Sequence, residues 1–430
     1  MKNLRFAILA MMVAVVMIGC KSNKNDEPQP QQNDGVIQFT HQMGEPVSNP
    51  TNSDWCVAPA AEQTLSSLRR ISDIFYYMDF ATDLSLGTLV DANLRTYQGE
   101  HDAMEQLWFT PDGQEPTFDE EHPSCSGFVC FNEAGELLFG RNFDGAGGPL
   151  CMVFNKVNGQ YDYVQFTAPN YNSARYNGAT YGRENGDGIL SDGKTPLHRL
   201  LRQPMATMDG MNEYGLCFGA FQLPVFGTDK ETGMPIRVMQ GENEDNGKKA
   251  ISTSLMHNLI LSECKTIADV ENYLKNHNYV NLHPSLNVHW MVADATGDCA
   301  VFEYWNDTLY VLRPKDRNYI LMQTSHVVPY EYNCIENYYC NPEATKTYME
   351  DKWQYSYSSK IRVQRMMMSY RPVMSEMEAL KCLQEGSFGV EMWNNVTNWS
   401  CIYNTAQRTI LFCMRNDMST IYKVDLKKDL

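Results

Sequence analysis

The thirteen cysteines of this 430-residue chain include no Cys-x-x-Cys pair, which excludes a zinc ribbon or a thioredoxin-like redox site. Basic residues are scarce: 35 Lys and Arg stand against 52 Asp and Glu, a net charge of −17. Nucleic-acid binding needs clustered Lys and Arg at the phosphates, and attraction to an anionic membrane surface needs the same sign, so neither fits. After the first twenty residues no hydrophobic run is long enough to span a bilayer. No internal repeat at solenoid or propeller spacing occurs. None of the nine histidines sits in a nucleophile-pairing pattern, which counts against a Cys-His hydrolase.

What is present is the composition of a packed protein. Hydrophobic residues make up 43% and aromatics 11%, enough for one large domain plus an extra segment. The N-terminus reads as a targeting signal. Lys2 and Arg5 give a positive start, Phe6 to Ile18 an apolar run, and Gly19-Cys20 closes it. A small residue followed by cysteine resembles a bacterial lipoprotein signal over residues 1–20, with cleavage leaving a lipidated Cys20. An ordinary secretory signal or an uncleaved anchor is the alternative. The expected location is the bacterial cell envelope, extracytoplasmic and held to the membrane only through that lipid. Residues 21–36 are polar with Pro and Gln, as a flexible tether is.

Residues 58–109 are helical in pattern: Leu65, Leu68, Ile71, Phe75 and Met78 recur at steps of three and four. An acidic, proline-punctuated loop, Phe118 to Ser124, then marks a boundary. The predicted organisation is therefore a helical segment over 37–124 and a second unit over 125–430. In the second unit, strands are expected in hairpin-linked runs, with helices clustered between them. Strand readings include 287–294, 300–303, 308–312, 320–324 and three strands in the tail. Helices are expected within 247–276, where Thr266 to Asp269 forms a capping box, and after Ser375. That excludes regular βαβ alternation and predicts α+β with antiparallel sheets. Cys130, Cys151, Cys217, Cys299, Cys401 and Cys413 read as small buried hydrophobes, and Cys334 with Cys340 as the candidate disulfide.

The stretch from Cys125 to Asp144, CSGFVCFNEAGELLFGRNFD, organises the rest. Two apolar runs flank Asn132-Glu133-Ala134-Gly135-Glu136, which has the polar residues and glycine of a hairpin loop. A turn centred near Ala134 sets residues whose numbers sum to about 268 opposite one another. Cys125 then faces the neighbourhood of Phe143, and Arg141, Asn142 and Asp144 return beside the thiol. A cation favours the thiolate, and a carboxylate supplies a hydrogen-bond partner. Cys125 is the candidate nucleophile.

At these residues the chain resembles the choloylglycine hydrolase and penicillin V acylase family of N-terminal-nucleophile (Ntn) amide hydrolases, and the related acid ceramidases and acyltransferases. Cys125-Ser126-Gly127 and Gly140-Arg141-Asn142-Phe143-Asp144 stand at the family's spacing. Asp209 to Leu216, His289 to Asp294 with Gly297 and Glu303, and Trp399 to Tyr403 are similar to later family blocks, in order. The resemblance implies an αββα sandwich of two antiparallel sheets flanked by helices. It implies hydrolysis of a non-peptide linear amide through a Cys125 thioester, with no cofactor or metal and a small-molecule substrate. N-acyl amines or amino acids, bile-acid conjugates and phenoxyacyl penicillins are the substrate candidates.

A chain-terminal cysteine carries its own base, because an α-amine titrates near 7.7–8.0. Cys125 is preceded by a long segment, as in the ceramidase and acyltransferase branches, where a helical pro-segment is removed autocatalytically. Cleavage is expected between Ser124 and Cys125. By resemblance, Asp144 accepts hydrogen bonds from the amine or the substrate nitrogen, and Arg141 steadies the thiolate. Gln222 stands where the family has an oxyanion-hole Asn, and Ser325 in Thr324-Ser325 where it has a second Asn. Arg362, with Arg365 in reserve, matches a late active-site arginine. Acyl transfer to an amine is a close variant. The departures at Gln222 and Ser325 also leave open a non-catalytic ligand-binding lipoprotein. A Cys-protease would require a histidine such as His326 or His289.

Overall fold

The hairpin at the centre of the sequence forms in the predicted register. In the computed structural model, Cys125 pairs with Phe143, Gly127 with Arg141 and Ser124 with Asp144. Asn132 builds the loop. Its side-chain oxygen accepts from the main-chain N–H groups of Ala134 and Glu136 at 3.0 and 2.9 Å, and Gly135 takes the left-handed conformation at φ 76°. The structure describes residues 35–47, 59–96, 99–100, 102–103, 124–145, 149–169, 197–223, 246–280, 288–305, 308–313, 334–336, 365–366, 368–387 and 396–430.

In chain order the elements are β1 (Val36–Gln38), β2 (Glu45–Pro46), α1 (Pro59–Ser66), β3 (Arg69–Ser72), β4 (Phe75–Phe80) and α2 (Leu86–Asp91). Next come β5 (Ser124–Phe131), β6 (Leu137–Gly145), β7 (Leu150–Asn155), β8 (Tyr163–Thr167), β9 (Thr207–Asn212) and β10 (Cys217–Gln222). Then follow β11 (Ala250–Ser252), α3 (Thr253–Glu263), α4 (Ile267–Asn276), β12 (Asn278–Val280), β13 (Val288–Ala293), β14 (Cys299–Trp305), β15 (Thr308–Leu312) and β16 (Cys334–Glu336). The chain closes with α5 (Glu376–Glu385), β17 (Val396–Asn404), β18 (Thr409–Met414), β19 (Ile421–Asp425) and α6 (Leu426–Asp429).

Of the two large sheets, the first has seven strands in the order β1-β19-β18-β17-β6-β5-β16 and the second has ten, β15-β14-β13-β10-β9-β8-β7-β4-β3-β2; β11 and β12 pair separately, in parallel. Three apolar layers show how they stack. Phe139, Phe143, Trp399 and Phe412 of the first sheet meet Met152, Phe154, Phe166, Phe221 and Met291 of the second. On its far face the second sheet carries α1, α3 and α4 through Leu65, Leu259, Ile260 and Val270 against Met78, Phe218 and Trp290. On its far face the first sheet carries α5, with Leu380 and Leu383 against Phe128, Leu138 and Ile402. The order is helix, sheet, sheet, helix: the αββα sandwich.

Local chemistry sets the helix ends. Thr266 and Asp269 exchange reciprocal bonds at the start of α4, and Ser375 and Glu378 do so at the start of α5. Gly386 ends α5. No helix among the described residues is long and apolar enough to cross a membrane.

Residues 58–109 differ from the helical expectation. The helix stops at Ser66, and β3 and β4 follow. β4, FYYMDF, lies inside the second sheet with Phe75 and Tyr77 facing the inter-sheet layer and Tyr76 and Met78 facing the helices. Its aromatic run suits a pleated surface, and burial on both faces removes the polar alternation that marks a half-buried strand. The segment upstream of Cys125 also makes both sheets mixed: β1 pairs with β19 and β4 with β7, each in parallel. The six strand-borne cysteines read as buried hydrophobes are buried. Residues 320–324 and Cys340 lie outside the described residues.

Candidate active site

Cys125, the second residue of β5, lies on the inter-sheet face, 2% exposed. Arg141 on the paired strand β6 reaches it with Nη2 at 3.4 Å from Sγ. The main-chain N–H of Asp144 also donates to that sulfur. Arg141 is itself fully buried. Its Nη2 donates to the Ala220 carbonyl at 2.5 Å, and Nη1 lies 2.8 Å from Asp209 Oδ2 across the layer. The guanidinium passes 5.1 Å from the Phe143 ring centre and 5.3 Å from that of Phe221, within the range where aromatic faces attract a cation.

Gly127 and Gly219 let the sheets approach here. A methyl group on Gly127 would stand 2.7 Å from the Gly140 carbonyl and 2.9 Å from Phe221. The sheets therefore close directly on the guanidinium.

Burial decides the protonation of the thiol. It pushes the Cys125 pKa up to about 11. Arg141 pulls it down, while the Asp144 and Asp209 carboxylates push it further up. In the intact chain the sulfur is thus a thiol at neutral pH, with a cation in place to receive the thiolate. Burial works against the Arg141 charge too, but Cys125 and Asp209 outweigh it and hold its pKa above the usual value. Burial raises the Asp209 carboxyl, against the opposing pull of Arg141, Tyr403 and Trp399.

Asp144 is buried and accepts from the Thr397 hydroxyl. Thr397 stands at a bulge in β17, where the register with β6 shifts between Thr397 and Trp399. Bulges next to active sites re-aim side chains. Just beyond the bulge, Trp399 stacks on Phe143 at 4.3 Å, a contact worth roughly 0.5–1.5 kcal/mol beyond its burial. Asn142, the second residue of the Arg-Asn-Phe-Asp run, turns to the other face. It donates to Ser126 Oγ at 3.1 Å and to the Leu383 carbonyl of α5 at 2.8 Å, tying that helix to the nucleophile strand.

The structure therefore brings together Cys125, Arg141 and Asp144. Gln222 ends β10, paired with Val288. Val288 belongs to the helix-facing layer with Phe218 and Ala220, whereas Phe221 faces the site. Gln222 thus lies on the face turned away from the thiol. Ser325, Arg362 and His326 lie outside the described residues, as does Cys20, and of Ser124 only the main-chain pairing with Asp144 is described. His289 sits 2.9 Å from Glu303, and the thiol is met by Arg141 and the Asp144 main chain rather than by a histidine. Among the described residues no cluster of three or more His, Cys, Asp or Glu is arranged to hold a metal.

Two residues at the site carried no assigned role in the sequence. Asp209 opens a block that matched the family, and its signal was an acid inside an apolar strand. Thr397 had none, because its reach depends on the bulge.

The family model for linear amide C–N hydrolases, choloylglycine hydrolase family, matches residues 125–363, more than half of the chain, and begins on Cys125. The chain belongs to this family. It is accordingly an Ntn-type hydrolase acting on linear amide C–N bonds. Among solved structures, a variant of the conjugated bile acid hydrolase from Clostridium perfringens is similar at 14% identity and a TM-score of 0.45, over 71% of this chain and 93% of that one. Penicillin V acylase from Agrobacterium tumefaciens is similar at 13% identity and 0.39, over 71% and 87%. The Caenorhabditis elegans ortholog of N-acylethanolamine-hydrolyzing acid amidase is similar at 13% and 0.36, over 67% and 99%. These likenesses assign no residue. No curated protein matches the chain.

Proposed function

We propose that this family member is a cysteine Ntn amidohydrolase in which Cys125 forms a thioester with the acyl group of a small linear amide. The observation that carries the reading is the Arg141 guanidinium, 3.4 Å from a buried Cys125 sulfur at the first residue of the family match. Maturation comes first. The Cys125 thiol adds to the Ser124 carbonyl, the Ser124–Cys125 C–N bond breaks, and the thiol proton ends on the freed α-amine. Water then hydrolyses the thioester and leaves Cys125 as a chain start.

In turnover the α-amine takes the thiol proton, since its unperturbed pKa lies near 7.7–8.0. The thiolate attacks the substrate carbonyl, and the amine product leaves with that proton. Water releases the acid and restores the thiol. Arg141 stabilises the sulfur anion, and Asp144, braced by Thr397, holds the α-ammonium. Ser325 and Arg362 enter the proposal on resemblance as oxyanion donor and second cation. The substrate is an N-acyl amine or amino acid, a bile-acid conjugate or a penicillin of the V type. Attachment at Cys20 to an envelope membrane remains part of the proposal.

N-terminal sequencing of the purified protein, with mass mapping of thiol-reagent adducts, tests the reading. A second N-terminus at Cys125 and an adduct there are expected. An active preparation made only of uncleaved chain would sink the maturation step. An active Cys125→Ala variant would sink the nucleophile.

A further inference from the structure

Asp209 is a fully buried carboxylate beside a sulfur that must become an anion. As a bare charge it opposes that anion. The geometry gives it a different role. We infer that Asp209 is a positioning residue that clamps Arg141 so that its second nitrogen faces Cys125. The inference rests on the reading of Cys125 as the nucleophile and deepens it.

The division of labour is visible atom by atom. Arg141 Nη1 forms an ion pair with Asp209 Oδ2 at 2.8 Å, while Nη2 donates to the Cys125 sulfur at 3.4 Å and the Ala220 carbonyl at 2.5 Å. The carboxylate is in turn fixed by β17. Trp399 Nε1 donates to Oδ2 at 3.1 Å, the Tyr403 hydroxyl to Oδ1 at 2.6 Å, and Cys401 Sγ lies 3.9 Å from Oδ1. These three groups hydrogen-bond both carboxylate oxygens and hold the acid in place for its ion pair with Arg141. Asp209 comes from the second sheet, whereas Arg141, Trp399, Cys401 and Tyr403 come from the first. The clamp thus closes across the layer between the sheets, with one terminal guanidinium nitrogen held at the acid and the other left for the sulfur.

The two roles predict opposite signs, which makes the inference testable without a substrate. If Asp209 is only an opposing charge, Asp209→Asn eases thiolate formation. If it is a clamp, Asp209→Asn frees the guanidinium, and thiolate formation becomes harder although a negative charge has been removed. The experiment is iodoacetamide labelling of Cys125 in the purified, naturally matured protein, followed peptide by peptide across pH, with thermal melts to verify folding.

The labelling midpoint of Asp209→Asn is expected to rise by about one pH unit or more, so that labelling at pH 7.5 slows at least about tenfold. Tyr403→Phe keeps the charge and removes one brace, and should shift the midpoint the same way by less. Labelling of Asp209→Asn as fast as wild type or faster overturns the clamp. If that variant does not fold, an unshifted midpoint in Tyr403→Phe overturns it. A wild-type Cys125 that resists iodoacetamide, together with an active Cys125→Ala variant, would instead remove the nucleophile reading beneath it.

Discussion

Gly219 of β10 lies so close to Arg141 of β6 that a methyl group there would stand 2.8 Å from both Cδ and Nε of the arginine. The absence of that carbon gives the guanidinium its place. Gly219→Ala should therefore destabilise the fold by about 1–3 kcal/mol, as overpacking does, and slow the reaction of Cys125 with thiol reagents. Urea unfolding and labelling rates, measured on the same preparation, check both effects.

Arg141→Met removes the one cation that Asp209 meets among the described residues. Breaking a buried pair from one side typically costs about 3–5 kcal/mol, so denaturant midpoints should fall accordingly. Amide turnover should drop with them, even in conditions where the variant stays folded.

Thr397→Val keeps the shape of the side chain and deletes the hydroxyl that donates to Asp144. A hydrogen bond to a charged group contributes about 1.5–3 kcal/mol. A stability loss of that order is expected, with a lower kcat and little change in KM, since the proposed partner of Asp144 is the α-amine rather than the substrate.

Gln222 sits on the helix-facing side of β10, in register with Val288. Gln222→Ala should therefore lower kcat by less than about tenfold, against the ~10²–10³ lost when an oxyanion donor is removed. A loss in that larger range would place its amide in the oxyanion hole after all.

His257 gives a pH prediction. Its Nε2 accepts from Trp290 Nε1 at 2.9 Å, so Nδ1 carries the proton donated to the Thr207 carbonyl at 2.7 Å. Burial drives its pKa down to about 3 from 6.5. Between those values the unfolded chain binds a proton that the folded chain does not, so this contribution is full above pH 6.5 and fades as pH falls toward 3. His257→Gln, which preserves one donor and one acceptor, should flatten the acid side of a melting-temperature profile in that window.

The hairpin was legible because its information is local. Asn132 and Gly135 specify the loop, and the loop fixes which residue of β6 returns beside Cys125. Capping boxes at Thr266 and Ser375 were legible for the same reason. Asp209 and Thr397 were not placed, since one arrives from the opposite sheet and the other through a register shift. Gln222 could be aligned, but its face depends on the phase of β10. β4 was hidden by its own burial: apolar residues on both faces of FYYMDF continue the three- and four-residue steps of the helix before it.

The strands contributed by residues 36–80 have a further consequence. β1 runs beside β19, and β4 beside β7. Without them, the six-residue apolar strand Leu150–Asn155 would show a row of unsatisfied N–H and C=O groups to other chains, the arrangement that seeds strand-to-strand polymerisation. The upstream segment is thus a built-in guard against self-association. A chain begun at Cys125 would lack that guard, so under the proposed scission of the Ser124–Cys125 bond, freedom from self-association depends on residues 36–80 remaining seated.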